Sequence, residues 1–193
     1  MVELEFYVDP DSDINLPDEN HFKYVDIRLG HIGKKWLKGE QVTTPDNPTV
    51  ANCFMKFQKF WKQHNLKLVE SEKILYSERG FCGTLDTIAK DSENNLWLID
   101  IKTSKGIFIN MIHQVHGYKL AYEEQTGKKI NKMYVVRLPK TDEDFEARHI
   151  SYKKEHIKAF LGLLHLHKSE LLFNEQVRKF NQLKRGKKYV SKK

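Results

Sequence analysis

Apolar and polar positions recur along this chain with two different periods, and the switches between them mark its elements. Val50, Phe54, Phe57 and Trp61 stand at helical spacing, so a helix is expected from a cap at Thr49 to about Asn65. Upstream, residues 21–39 mix apolar and basic side chains and read as a helix ending at Gly39. The segment GEQVTTPDNP, 39–48, is a loop by its Pro, Asn, Asp and Gly content. Then the period changes. Residues 68–76, 81–90 and 95–103 are short and rich in β-formers, with turn residues between them. DSENN, 91–95, is a hairpin loop joining the second to the third. Helical spacing returns over 108–125, where Phe108, Met111, Ile112, Val115, Tyr118 and Tyr122 form one stripe. KMYVVRL, 132–138, is a strand stopped by Pro139, and a short strand is expected near 146–151. Residues 153–183 read as helix, with a break expected near His167–Ser169. Unbroken, they would reach about 45 Å at roughly 1.5 Å per residue. The order α-β-β-β-α-β-(β)-α predicts an α/β fold, a mixed central sheet with helices packed on its faces.

No internal repeat or low-complexity linker divides the chain. One domain is therefore expected over 1–193: an irregular acidic arm at 1–20, a core at 21–152 and a helical segment with a basic tail at 153–193. The 39% hydrophobic and 31% charged residues exclude a disordered chain. No apolar run approaches the roughly 18 residues that a membrane span needs. The acidic start lacks the features of a signal peptide, so an intracellular protein is expected. Cys53 and Cys82 are too few for a disulfide framework or a four-cysteine cluster, and both are expected to be reduced, inert packing thiols.

The net charge of +7 conceals an asymmetry. Residues 1–20 hold seven acids and no Lys or Arg, which leaves a surplus of +14 on the rest of the chain. The last ten residues carry six bases. A basic body suits a polyanion such as nucleic acid.

The chemistry concentrates in LWLIDIKTS, 96–104, an apolar strand that suddenly holds Asp100 and Lys102. Side chains two apart on a strand share a face, so the two emerge together near the strand's end. The preceding strand, FCGTLDTIA, carries Asp86 after Gly83, and a hairpin would bring Asp86 beside Asp100. Two confined carboxylates repel each other unless a cation lies between them, and hard oxygen ligands suit Mg²⁺ or Mn²⁺. A third acid is expected from the first strand, where Glu70 and Glu72 are both candidates and share a face by strand parity. On the following helix Gln114 and Tyr118 stand at i, i+4 and share a face.

The ordered pattern G-x-x-D, D-x-K, Q-x-x-x-Y resembles the PD-(D/E)XK nucleases, and within them the RecB-type and phage exonuclease branch. The stretch from VESEKILY through GTLD to IDIKTS is also similar to the mitochondrial genome maintenance exonuclease family. The resemblance covers roughly residues 68–140. It implies a restriction-endonuclease-like core and a metal-dependent DNA nuclease, an exonuclease of recombination, repair or replication acting on single- or double-stranded ends. It implies Asp86, Asp100, the backbone carbonyl of Ile101 and Glu70 as ligands of Mg²⁺ or Mn²⁺, Lys102 as the catalytic lysine, and Gln114 with Tyr118 as the helix motif. An endonuclease and an inactive DNA-binding relative are the alternatives, and a homo-oligomer or a recombination partner protein is a further expectation. Many members carry an upstream helix histidine in the metal shell, and His31 is the best positional match.

Other conspicuous residues have plainer readings. His113 and His116, three apart on a helix, read as surface or polar packing residues because no second ligand pair accompanies them. Trp36, Trp61 and Trp97 read as core. Phe6 or Tyr7 could stack on a base, and Lys105 could touch phosphate or be solvated.

Overall fold

A computed structural model of the chain describes residues 2–3 and 29–190, with side chains described for 29–182. Most of the acidic arm, including Phe6 and Tyr7, therefore lies outside the described residues, as do the side chains of the basic tail. Of the arm, Val2–Glu3 forms a short strand, β1, where an irregular segment was expected. The other strands are β2 (Lys67–Ser77), β3 (Phe81–Lys90), β4 (Leu96–Lys102), β5 (Lys132–Arg137) and β6 (Glu146–His149). The helices are α1, whose described residues are 29–37, α2 (Pro48–Gln63), α3 (Ile109–Thr126) and α4 (Lys154–Val190).

The sheet is mixed. β2 runs antiparallel along the whole of β3 and so takes one of its two edges. On the other edge β4 pairs antiparallel with the far half of β3, while β1 pairs parallel with its first two residues. β5 lies parallel to β4 and β6 antiparallel to β5. Parallel neighbours need a long crossover, and α3 supplies it between β4 and β5.

Alternation along β4 sorts the molecule into two cores. Leu96 and Leu98 enter one, with Leu85, Ile88, Val115, Tyr122 and Phe160, beneath α3 and α4. Trp97 and Ile99 enter the other, with Val50, Phe57, Phe60, Trp61 and Val136, beneath α1 and α2. Each fully buried side chain of this size contributes about 1.5–3 kcal/mol. A central strand buried on both faces reads as a continuous apolar run, which is why Asp100 at its end stands out.

Local signals set the helix ends. Asn47, not Thr49, caps α2: its Oδ1 accepts from the amides of Thr49 at 3.0 Å and Val50 at 3.1 Å, with Pro48 at the first helical position. Thr49 is already inside the helix and cannot serve. Gly127, at φ +66°, ends α3 in the left-handed conformation. α4 runs 37 residues without the break expected near His167–Ser169. Among the described residues no helix is long and apolar enough to cross a membrane.

Candidate active site

The β3–β4 ladder stops short. Backbone pairing runs from Lys90↔Leu96 to Thr87↔Ile99 and no further. Where Asp86 would pair with Asp100 the strands separate, and the Ile101 amide donates instead to Asp86 Oδ2 at 2.7 Å. A carboxylate thus replaces the missing backbone acceptor, and the unsatisfied amide of a splayed strand becomes the anchor of an acidic side chain. β4 keeps its other neighbour, pairing with β5 as far as Lys102↔Arg137.

The separation has a cause in both flanking strands. Leu85 and Ile88 enter the same core although they are three apart, so strict alternation fails between them, and Asp86 and Thr87 both line one cavity. β2 fails in step. Glu70 and Lys73, also three apart, both reach α3: Glu70 accepts from Lys73 and from the Tyr122 hydroxyl (3.2 Å), and Lys73 Nζ lies 5.7 Å from the Tyr122 ring centroid. Between them Glu72 sits at φ +49°, a left-handed conformation rare for a residue with a side chain, and the register of β2 on β3 is the same on both sides of it. The expectation that Glu70 and Glu72 share a face is therefore wrong, since parity holds only for a regular strand. Glu72 turns toward α1, pairs with Lys34 and lines a cavity with Asp86. Glu70 is on the α3 side and does not line that cavity.

Asp100 is 1% exposed. Lys102 Nζ donates to its Oδ1 at 3.0 Å. The same ammonium lies 2.9 Å from Oδ2 but off the hydrogen-bonding direction, so Oδ2 is buried without a hydrogen-bond partner. Burial, and then the charge of Asp86, push the Asp100 carboxyl up to about 7 against the opposing pull of Lys102. Burial likewise raises Asp86, with Glu72 adding to it, while Lys102 and the Ile101 amide oppose. Two raised carboxyls and one orphaned oxygen mark a place short of positive charge. The donor set fits a hard divalent ion. Among the described residues no group of three or more His, Cys, Asp or Glu side chains is arranged to hold a metal. Mg²⁺ does not require such a cage, since it is commonly held by one or two carboxylates and keeps several waters.

The cavity beside this cluster has a volume of about 600 Å³. Lys34, Lys102, Lys105 and Lys140 line it, against the acids Glu72 and Asp86. One wall is α1, which presents Gly30 and Gly33; a Cβ on Gly30 would meet nothing within 4 Å. Lys34 and Lys140 escaped the sequence reading. The Gly30, Gly33 spacing, i to i+3 on one helix face, is the signal that could have placed α1 at the cavity. His31 on the same helix is exposed and does not line it.

Gln114 and Tyr118 lie on α3, with Gln114 Nε2 donating to the Tyr118 hydroxyl at 2.8 Å. Neither lines the cavity. Tyr118 instead explains Gly83, because a Cβ there would stand 2.9 Å from its Cε1. Gly83→Ala should therefore destabilise the fold by about 1–3 kcal/mol, the range for overpacking a filled interior. Thermal unfolding beside wild type checks this; an unchanged Tm would remove the contact from the account. His116 is fully buried and satisfied at both ring nitrogens, with Nδ1 2.7 Å from the Ile112 carbonyl and Nε2 accepting from the Lys153 amide at 3.2 Å. It is a packing residue, as read from the sequence. Trp97 and Trp61 are core.

No protein-family model matches the chain, and no curated protein does. Solved structures share parts of its architecture. A Eubacterium rectale protein described provisionally as an exonuclease aligns with 77% of this chain at 10% identity and a TM-score of 0.47. SSO0001 aligns with 76% at 15% identity and a TM-score of 0.39. The chain spans 66% of the length of each. The DrdV–DNA complex aligns with 75% of the chain at 12% identity, with a TM-score of 0.23 and 13% of that larger protein covered. The fold is α/β. Its mixed sheet and flanking helices follow from the strand pairing itself, and at these scores none of the three neighbours bears on what the site does.

Proposed function

We propose that the chain is a metal-dependent nuclease that hydrolyses DNA phosphodiester bonds in the cavity beside Asp86, Asp100 and Lys102. The observation that carries this reading is the break in the β3–β4 ladder. It leaves two raised carboxyls, one with a buried oxygen that accepts no hydrogen bond, against an ammonium at the edge of a lysine-lined cavity. A salt bridge built only for stability has no use for a second acid held beside it at the edge of a cavity.

Asp86, Asp100 and the Ile101 carbonyl would hold Mg²⁺ or Mn²⁺. When bound, the ion supplies positive charge that polarises the phosphate and acidifies water. Lys102 orients a water or a phosphate oxygen and keeps Asp100 aimed. Glu72 takes the place of the upstream acid and is sited to accept a proton from water, while Lys34 restrains it. Lys105 and Lys140 bind backbone phosphates. Gln114 and Tyr118 act as positioning residues, Tyr118 by its fit against Gly83 in the strand that carries Asp86. The resemblance to exonucleases favours attack at DNA ends.

A gel assay with end-labelled linear DNA and closed circular DNA tests this directly. Linear DNA should be degraded with Mg²⁺ or Mn²⁺ and remain whole with chelator, and the closed circle should survive. Nicked circles would replace the exonuclease by an endonuclease. Cleavage undiminished by chelator would remove the metal-dependent mechanism.

A further inference from the structure

Lys168 Nζ bonds the Arg79 carbonyl at 2.7 Å, and beyond that tie every described side chain of α4 as far as 182 is exposed. Most helical stability in proteins comes from packing an apolar face, and a helix that displays large apolar residues has a face still to be covered. Leu163, Leu166, Phe173 and Val177 are 54%, 58%, 64% and 39% exposed. They fall at the alternating three- and four-residue spacing of a coiled-coil seam, with Glu170 at the one intervening seam position. His167, Ser169, Asn174 and Gln176 flank that strip, and none carries a fixed charge. Lys168, Glu175, Arg178 and Lys179 share the outer positions with Leu171 and Leu172, 49% and 63% exposed, and Glu175 and Lys179 pair with each other there.

We propose that two copies of this chain associate antiparallel through this strip of α4. The flanks decide the kind of partner. A helix that lies on a membrane carries Lys and Arg beside its apolar face, and DNA would need bases on the strip itself. Here an apolar seam with uncharged borders matches a surface of the same character, and a second copy offers one without like-charge repulsion. Glu170 decides the direction. A parallel pair in register sets Glu170 against its own counterpart. An antiparallel pair centred between Leu171 and Leu172 sets it opposite Phe173, and sets Leu166 of one copy opposite Val177 of the other. About 30 Å of contact along the twenty residues 163–182, on a helix some 10 Å across, removes on the order of 500 Å² from each copy. The total is close to the roughly 1,000 Å² at which an interface becomes specific. The dimer is therefore a weak one that dissociates on dilution.

Sedimentation velocity of the full chain, from about 1 to 100 µM, the range suited to an interface of this size, should show monomer passing to dimer. Leu166→Lys or Val177→Lys should weaken the association at least about tenfold. Both positions are exposed, so helicity and Tm should stay at wild-type values. Direction is read by cross-linking in a Cys82→Ser background, because Cys82 is partly accessible while Cys53 is buried. Leu166→Cys combined with Val177→Cys should give disulfide-linked dimers, and either substitution alone should not. A monomer at the highest concentration overturns the proposal, as does a chain that stays monomeric and floats with phosphatidylcholine–phosphatidylserine vesicles. Disulfide-linked dimers of a chain carrying Leu166→Cys alone overturn the antiparallel arrangement.

Discussion

Lys102→Ala and Asp100→Asn should each lower DNA cleavage by about 10³-fold or more while DNA binding changes only a few-fold. Removing one preorganised charge-stabilising group from an active site typically costs 10²–10³ in rate. Here each substitution also disturbs a neighbour. Lys102 is the hydrogen-bonding partner of a 1% exposed carboxylate, and Asp100 supplies the orphaned oxygen. Binding should survive because Lys34, Lys105 and Lys140 remain in the cavity, and backbone phosphate contacts supply most of the affinity for DNA. Single-turnover cleavage and equilibrium binding on the same labelled duplex separate the two quantities. Wild-type cleavage rates in both variants would move the site elsewhere. Equal losses in binding and cleavage would reduce the cluster to a structural role.

Asp100→Asn should also make the metal-free protein more stable, an unusual result for a buried polar position. The folded chain holds the Asp100 carboxyl up at about 7, well above the roughly 3.9 of an unfolded aspartate. Between those values the folded state binds a proton that the unfolded state does not. Wild-type stability therefore falls as pH rises from about 4 to about 7, then levels off. Asparagine has no such proton. Its advantage should be absent near pH 4 and fully developed above pH 7. The shift sets an upper bound of about 4 kcal/mol. The loss of Lys102's partner offsets part of it, so a gain of about 1–3 kcal/mol is expected, at about 2–4 °C in Tm per kcal/mol for a chain of this size. Mg²⁺ should stabilise wild type and leave the variant unmoved, because only a ligand that binds the folded state shifts the equilibrium. Melting curves between pH 4 and 8, with Mg²⁺ and with chelator, check both statements. A variant less stable than wild type at pH 8 without metal would contradict the burial argument, and equal Mg²⁺ shifts would contradict the binding role.

These effects depend on where the acids sit, and the sequence located them unevenly. Asp86, Asp100 and Lys102 could be found because each interrupts an apolar strand, and a polar group at such a point demands a reason. Glu70 and Glu72 could not be told apart by residue type or by parity. The left-handed backbone at Glu72 decides between them: β2 keeps its register with β3 on either side, Ser71↔Thr87 and Lys73↔Leu85, while its side chains change face opposite Asp86. Gln114 and Tyr118 were correctly placed on one helix face. That this face closes over Gly83, and does not line the cavity, follows from how α3 packs. Lys34 and Lys140 lie far from the motif along the chain and reach it only through α1 and the segment after β5.

By itself the sequence determined the element order, the alternation that divides β4 between two cores, and the strand interrupted by an acid and a lysine. Those are local properties, fixed by period and by the cost of placing charge among apolar neighbours. Tertiary structure alone decided which glutamate meets Asp86, which lysines face the cavity, and that the β3–β4 ladder opens at the two aspartates. Each of those depends on how backbone hydrogen bonds are satisfied between strands, and a bond between segments distant in the chain leaves no periodic mark on either one.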